Sequence, residues 1–137
     1  MIFYSIHNYK KLKQPLISII IPVFNRSHSI SKSIISVLNQ TYKNFEIIVV
    51  DDGSTDNILE VINTFNTVKY IKIETNKGQA NARKVGLKHS KGDYICSLDS
   101  DDTWKDMFLE ESLRYMLAYD LDLFFSNWSK NQKSTAE

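Results

Sequence analysis

Two aspartate clusters constrain this chain more than anything else in it: Asp51-Asp52-Gly53-Ser54 and Asp99-Ser100-Asp101-Asp102. Each follows directly on a short apolar run, Phe45 to Val50 in the first case and Tyr94 to Leu98 in the second. Such runs, β-branched or aromatic, read as buried strands. In open α/β sheets, ligands lie just outside the carboxyl ends of the strands, so both clusters put negative charge where a ligand would sit. Carboxylates that converge on one crevice repel one another unless a cation neutralises them, and a divalent metal is the natural resolution.

The remaining pattern alternates strand and helix. Ile17 to Ile21 predicts a first strand, stopped by Pro22, which cannot donate to a ladder. After the loop Val23 to Ser27, Ser29 is placed to cap a helix whose apolar residues Ile30, Ile34, Val37 and Leu38 repeat with helical period up to about Tyr42. Ser54 or Thr55 is placed to cap a second helix with Ile58, Leu59, Ile62 and Phe65 turned inward. Val68 to Ile73 reads as a strand, Gly78 to His89 as a helix with Ala80, Ala82, Val85 and Leu87, and Met107 to Tyr119 as another helix before the apolar segment Leu121 to Phe125. This alternation predicts an α/β fold, a mostly parallel sheet with helices on both faces.

At 137 residues the chain fits one domain. The expected organisation is an N-terminal extension over 1–14, a domain over 15–128 ending at Trp128, and a polar tail over 129–137. Within the extension, Ile2, Ile6 and Tyr9 with Lys10, Lys11 and Lys13 allow a weak amphipathic helix in peripheral contact with an anionic membrane surface. The plainer reading is a frayed or loosely docked end. The longest apolar run, Leu16 to Phe24, is too short to span a bilayer, and the lysines follow the apolar residues, the reverse of a secretory signal.

Charge excludes one partner class. With 17 Lys and Arg against 16 Asp and Glu, the net charge of +1 gives no reason to invoke nucleic acid. The single cysteine, Cys96, excludes an internal disulfide and a cysteine-based zinc site. A buried, inert thiol in a reducing, cytoplasmic setting fits it.

Each candidate site residue has a plainer reading beside the functional one. If extended backbone continues past Leu98, Asp99 and Asp101 project to one side and Asp102 to the other. That pair suits a hard cation such as Mg²⁺ or Mn²⁺, which takes one or two carboxylates and leaves room for substrate phosphates. A solvated acidic turn capping the helix after Trp104 is the alternative. Asp51 to Ser54 are ordinary turn and helix-start residues, yet two adjacent acids exceed what a cap requires. Arg83, in the helix after Gly78, is placed to meet a diphosphate or is a surface arginine. Lys77-Gly78-Gln79 is too weak a glycine signal for a phosphate loop, and His7, His28 and His89 show no ligand spacing. Trp104 and Trp128 read as packing residues.

Four segments in order carry a resemblance: Ser18 to Asn25 (SIIIPVFN), Val49 to Asp56 (VVDDGSTD), Asn76-Lys77-Gly78 with Ala82-Arg83, and Leu98 to Asp102 (LDSDD). Over residues 16–128 the chain resembles the nucleotide-binding half of family 2 glycosyltransferases of the GT-A fold. The resemblance implies a nucleotide-sugar donor, commonly a UDP-sugar, and transfer to a saccharide or lipid-linked acceptor with inversion, in surface polysaccharide or glycoconjugate synthesis. It implies that Pro22, Val23, Phe24 and Asn25 line the nucleoside pocket, that Asp52 binds the base while Asp51 supports the loop, and that Arg83 helps hold the nucleotide. Asp99, Ser100 and Asp101 match the family's DxD motif, whose second acid contacts the Mn²⁺ or Mg²⁺ bridging the phosphates, with Asp102 sharing that task if the alignment slips by one.

The family's general base is a carboxylate well downstream of that motif. Glu110, Glu111, Asp120 and Asp122 do not occupy its position, and the chain stops first. The expectation is therefore a donor half, truncated or completed by a partner that supplies the acceptor site and the base. A non-catalytic nucleotide-sugar-binding module is the alternative. A sugar nucleotidyltransferase is a weaker third, since Val23-Phe24-Asn25-Arg26-Ser27 is neither Gly-rich nor strongly basic.

Overall fold

A computed structural model describes residues 2–5 and 14–125. In chain order the elements are β1 (Ile2–Ser5), β2 (Ile17–Val23), α1 (Ile30–Leu38), β3 (Phe45–Asp51), α2 (Ile58–Ile62), β4 (Val68–Lys72), α3 (Gln79–Lys88), β5 (Tyr94–Ser97), α4 (Phe108–Ala118) and β6 (Leu123–Phe125). They build one six-stranded sheet in the order β4-β3-β2-β5-β1-β6. Strands β4, β3, β2 and β5 run parallel, as the alternating pattern predicts, while β1 is antiparallel to both β5 and β6.

Every residue of β2 is buried, because helices cover both faces of the sheet and leave no solvated side to favour polar residues. On one face Ile17, Ile19, Ile21, Val23, Ile47 and Val49 pack against Ile30, Ile34 and Val37 of α1, Ile58 and Ile62 of α2, and Leu109, Leu113 and Met116 of α4. On the other face Ile20, Ile48, Val50 and Ile95 meet Ala82 and Val85 of α3. The alternation of side chains along β2 and β3 sorts these two cores. Gly86 lets α3 come close, since a Cβ there would lie 2.5 Å from Cγ2 of Ile20.

Several boundaries differ from the sequence expectation. Residues 2–5 are neither frayed nor helical but form β1, in register with β5 at Phe3↔Cys96 and with β6 at Phe3↔Phe124. Leu59 is exposed rather than inward, and Ala80 and Leu87 are exposed on α3, so those helices bury narrower stripes than expected. Pro22 does not stop β2, which continues to Val23 opposite Asp51. Ile20 turns its carbonyl toward Leu98 and Val23 turns its own toward Asp52, so the missing N–H of Pro22 faces the β5 side. Pairing with β5 has already ended there, at Ile20↔Ser97, and no ladder bond is lost. Residues 1, 6–13 and 126–137, which include Ile6, Tyr9, the N-terminal lysines, Trp128 and the polar tail, lie outside the described residues. Among the described residues, no helix is long and apolar enough to cross a membrane.

Candidate nucleotide-sugar site

Strands β2 and β5 part after Ile20, and a cleft of about 390 Å³ opens between their carboxyl ends. This is where the strand order reverses: the chain passes from β2 outward to β3 and β4, then returns to place β5 on the other side of β2. Such a switch point is where open parallel sheets bind ligands. Pro22, Val23, Phe24 and Arg26 contribute from the end of β2, Asp52 from the end of β3, Asn76, Gly78 and Gln79 from the approach to α3, and Asp99, Ser100 and Asp101 from the end of β5.

The two acids after β3 have different jobs. Asp51 is fully buried and spent internally: it accepts the amide of Ser54 at 2.8 Å and the hydroxyl of Tyr70 at 2.5 Å. Burial and that bond to Asp51 push the Tyr70 hydroxyl above its ordinary value of 10.0. Asp52 faces the cleft, where its carboxylate accepts the backbone amides of Lys77 at 3.0 Å and Gly78 at 2.6 Å. A carboxylate oxygen has two lone pairs, so capacity remains at Asp52 for further donors such as a base N–H. Gly53 makes the turn between strand and loop with φ +81°, and a Cβ there would lie 2.9 Å from the amide nitrogen of Asn76.

The loop after β2 is laced to the loop after β3. Asn25 adopts φ 50° and donates its amide to the Ser54 hydroxyl at 2.9 Å, while its side-chain oxygen accepts the amide of Thr55 at 2.8 Å. Ser27 donates its amide to Asp56 at 2.9 Å. Asn25 is thus a strut behind the cleft and not among its lining residues. Ser54 and Thr55 serve these cross-loop bonds rather than capping α2, whose N-cap position falls to Asn57. Phe24 stands at the rim, 44% exposed and among the lining residues.

The acidic residues after β5 form a turn, closed by the Asp102 amide donating to the Asp99 carbonyl at 3.1 Å, and not the extended segment expected. Asp99 and Asp101 still line the cleft together, and Asp102 does not. Desolvation, then the charges of Asp101 and Asp99, push the Asp102 carboxyl above its ordinary value. The turn does not cap α4, which begins at Phe108 after Met107. Instead Ser29, at the head of α1, makes no side-chain cap there and donates its hydroxyl to the Ser100 carbonyl at 2.9 Å. Arg83 reaches from α3 to donate to Ser97 Oγ at 3.0 Å and to Asp99 Oδ1 at 2.5 Å. Arg26 pairs with Asp101 at 3.5 Å.

Among the described residues, no group of three or more His, Cys, Asp or Glu is placed to hold a metal ion, so Asp99, Asp101 and Asp102 do not form a ready-made cage. Two hard carboxylates at the lip of a cleft do fit Mg²⁺ or Mn²⁺ in the shared mode, in which substrate phosphates and water complete the shell. Trp104 is buried and packs on Phe108 with ring centroids 4.8 Å apart. Cys96 is buried within β5, and desolvation raises its thiol well above the ordinary range.

Sequence reasoning gave no role to Arg26 or Gln79 and quoted Asn76 only within a motif. Each is a single polar residue in a loop or at a helix start, and the signal available for Arg26 was its place directly after the Pro22–Asn25 turn.

Comparison with known proteins supplies the family. The description "Glycosyl transferase family 2" matches residues 18–137. An uncharacterised glycosyltransferase of Haemophilus influenzae is 43% identical over 122 residues, covering 86% of this chain and 49% of that protein. The UDP-Glc:alpha-D-GlcNAc-diphosphoundecaprenol beta-1,3-glucosyltransferase WfgD of Escherichia coli is 43% identical over 116 residues, covering 82% of this chain and 46% of that protein. The chain therefore spans about half the length of these two relatives. A crystal structure of S. aureus TarS 1-349 in complex with UDP superposes with a TM-score of 0.72 at 29% identity, over 76% of this chain and 32% of that one. The parallel sheet, the cleft at its switch point and these matches together place the chain in glycosyl transferase family 2.

Proposed function

We propose that this chain forms the donor-binding part of a metal-dependent, inverting glycosyltransferase that uses a UDP-sugar. The observation that carries the reading is the cleft itself, in which Asp52 lies on one wall and Asp99 and Asp101 on the other, with Phe24 at the rim. Asp52 accepts a base N–H, Phe24 packs on the base, and Arg83 holds the nucleotide. Asp101, with Asp99 beside it, would hold the Mn²⁺ or Mg²⁺. When bound, that cation stabilises the charge left on the departing nucleotide as the sugar–phosphate bond breaks.

The acceptor is a saccharide or a lipid-linked saccharide, in line with the diphosphoundecaprenol substrate named for the Escherichia coli relative. Assembly of surface polysaccharide or glycoconjugate at the cytoplasmic side of a membrane fits such an acceptor. Inversion also requires a general base to take the acceptor hydroxyl's proton. The alternative for this chain by itself is a nucleotide-sugar-binding part that needs a partner for the acceptor site and the base.

Calorimetric titration with UDP, with and without Mn²⁺, followed by a UDP-release assay on a panel of UDP-sugars, tests both. Metal-dependent binding with sugar-dependent release supports transfer. Binding without release supports the second reading, and no binding of UDP overturns both.

A further inference from the structure

Arg26 stands at the cleft opposite the acidic turn, and the nucleotide-binding reading leaves it without a task. Its guanidinium lies 3.5 Å from the Asp101 carboxylate, and both side chains are about half exposed. The backbones at the two ends of this pair are fixed. The Arg26 carbonyl accepts the amides of Ser29 at 3.1 Å and Ile30 at 3.0 Å, which ties it to the first turn of α1. The same Ser29 donates its hydroxyl to the Ser100 carbonyl, next to Asp101. One serine thus ties the backbone at Arg26 to the backbone next to Asp101.

The neighbouring acid is arranged alike, with Arg83 on Asp99. Each cleft-facing carboxylate of the turn therefore carries its own arginine. The two arginines differ in support: Arg83 is also held by Ser97 Oγ, whereas the ion pair with Asp101 is the side-chain tie shown for Arg26. An exposed pair of this kind is weak and exchangeable.

We propose that Arg26 neutralises Asp101 before the donor arrives and is displaced from it on binding, so that one carboxylate exchanges a guanidinium for a divalent cation. The inference rests on the nucleotide-sugar reading above. Arg26 then acts as a competitor: it keeps the Asp101 carboxylate neutralised, at the cost of a lower apparent affinity for the metal-bound nucleotide.

The test is titration of the full chain with UDP, with and without Mn²⁺, for the unaltered protein and for Arg26→Gln, Arg26→Lys and Arg114→Gln, with thermal melting as a check on folding. Arg114, on α4 over the ring of Tyr115, controls for the loss of one positive charge away from the cleft. Arg26→Gln is expected to bind UDP in the presence of Mn²⁺ about two- to fivefold more tightly, with the gain shrinking at raised salt. Metal-free binding should not change, Arg26→Lys should restore most of the original affinity, and Arg114→Gln should match the unaltered chain. Equal affinity in Arg26→Gln overturns the exchange. Weaker binding with and without Mn²⁺ also overturns it, and shows that Arg26 contacts the diphosphate. If the unaltered chain shows no Mn²⁺-dependent UDP binding, the metal-dependent reading fails first and the exchange fails with it.

Discussion

The hydroxyl of Ser29 donates to the carbonyl of Ser100 across 2.9 Å and so joins the head of α1 to the turn that carries Asp99 and Asp101. These residues are far apart in sequence, and the bond ties the wall that carries Asp99 and Asp101 to the start of α1.

Ser29→Ala should therefore affect two measurements. Loss of one hydrogen bond lowers stability by about 1 kcal/mol, readable in urea denaturation. UDP binding in the presence of Mn²⁺ should weaken as the acidic turn loosens, while metal-free binding stays the same. A stability loss with unchanged metal-dependent binding would show that the turn does not need this tie.

Asp101→Ala should abolish Mn²⁺-dependent UDP binding with the fold intact by circular dichroism. A direct ligand should matter at least as much as an outer-shell partner, so the loss should exceed about tenfold. Asp102→Asn should bind within about twofold of the unaltered chain, because Asp102 lies outside the cleft lining. Calorimetry on the pair separates the two acids, and a loss confined to Asp102→Asn would reverse their assignment.

Tyr70→Phe leaves the buried Asp51 carboxylate without its 2.5 Å donor. A buried acceptor deprived of its partner costs about 1–3 kcal/mol, which chemical denaturation should detect. The Tyr70 hydroxyl is held above its ordinary value of 10.0, so the sign of the pH effect is fixed. Its contribution is fully present below the unfolded value and is lost as pH rises above it. Melting curves between neutral pH and about pH 11 should converge for the two proteins as the unaltered chain loses that advantage.

Cys96 should resist thiol reagents in the native state. It is fully buried in β5 and its thiol is raised by desolvation, so little thiolate forms. Reaction with an aromatic disulfide reagent should appear only on unfolding, and prompt labelling of the folded chain would contradict the packing of β5.

Much of this was legible in the sequence because two periodicities dominate it. The runs Ile17 to Ile21 and Phe45 to Val50 are apolar but for Ser18 and Glu46, as strands covered on both faces largely are, and the second leads directly to Asp51 and Asp52. What escaped depends on tertiary context. Ile2 to Ser5 are too short and too close to Ile6 and Tyr9 for alternation to be told from helical spacing, and only pairing with β5 and β6 decides them. Pro22 looked like a strand end because sequence does not show on which side a ladder has stopped. Asp51 and Asp52 are identical in type, and the hydroxyl of Tyr70 is what turns one of them into scaffold. Arg26 is marked in the sequence by nothing but its place after Pro22 to Asn25, and its ion pair with Asp101 exists only once β2 and β5 are side by side.

The position of β1 between β5 and β6 bears on how the sheet is assembled during synthesis. Since β1 precedes both of its partners in the chain, it has no neighbours until β5 and β6 have left the ribosome. Long-range pairing of this kind is slow to form because loop closure precedes any gain from contact. The parallel strands β2, β3 and β4 can close earlier, so Pro22 and Asp52 are set in place before the edge of the sheet is. A tag fused ahead of Ile2 should therefore disturb the late step, the insertion of β1, more than the early one, and leave that half of the cleft formed.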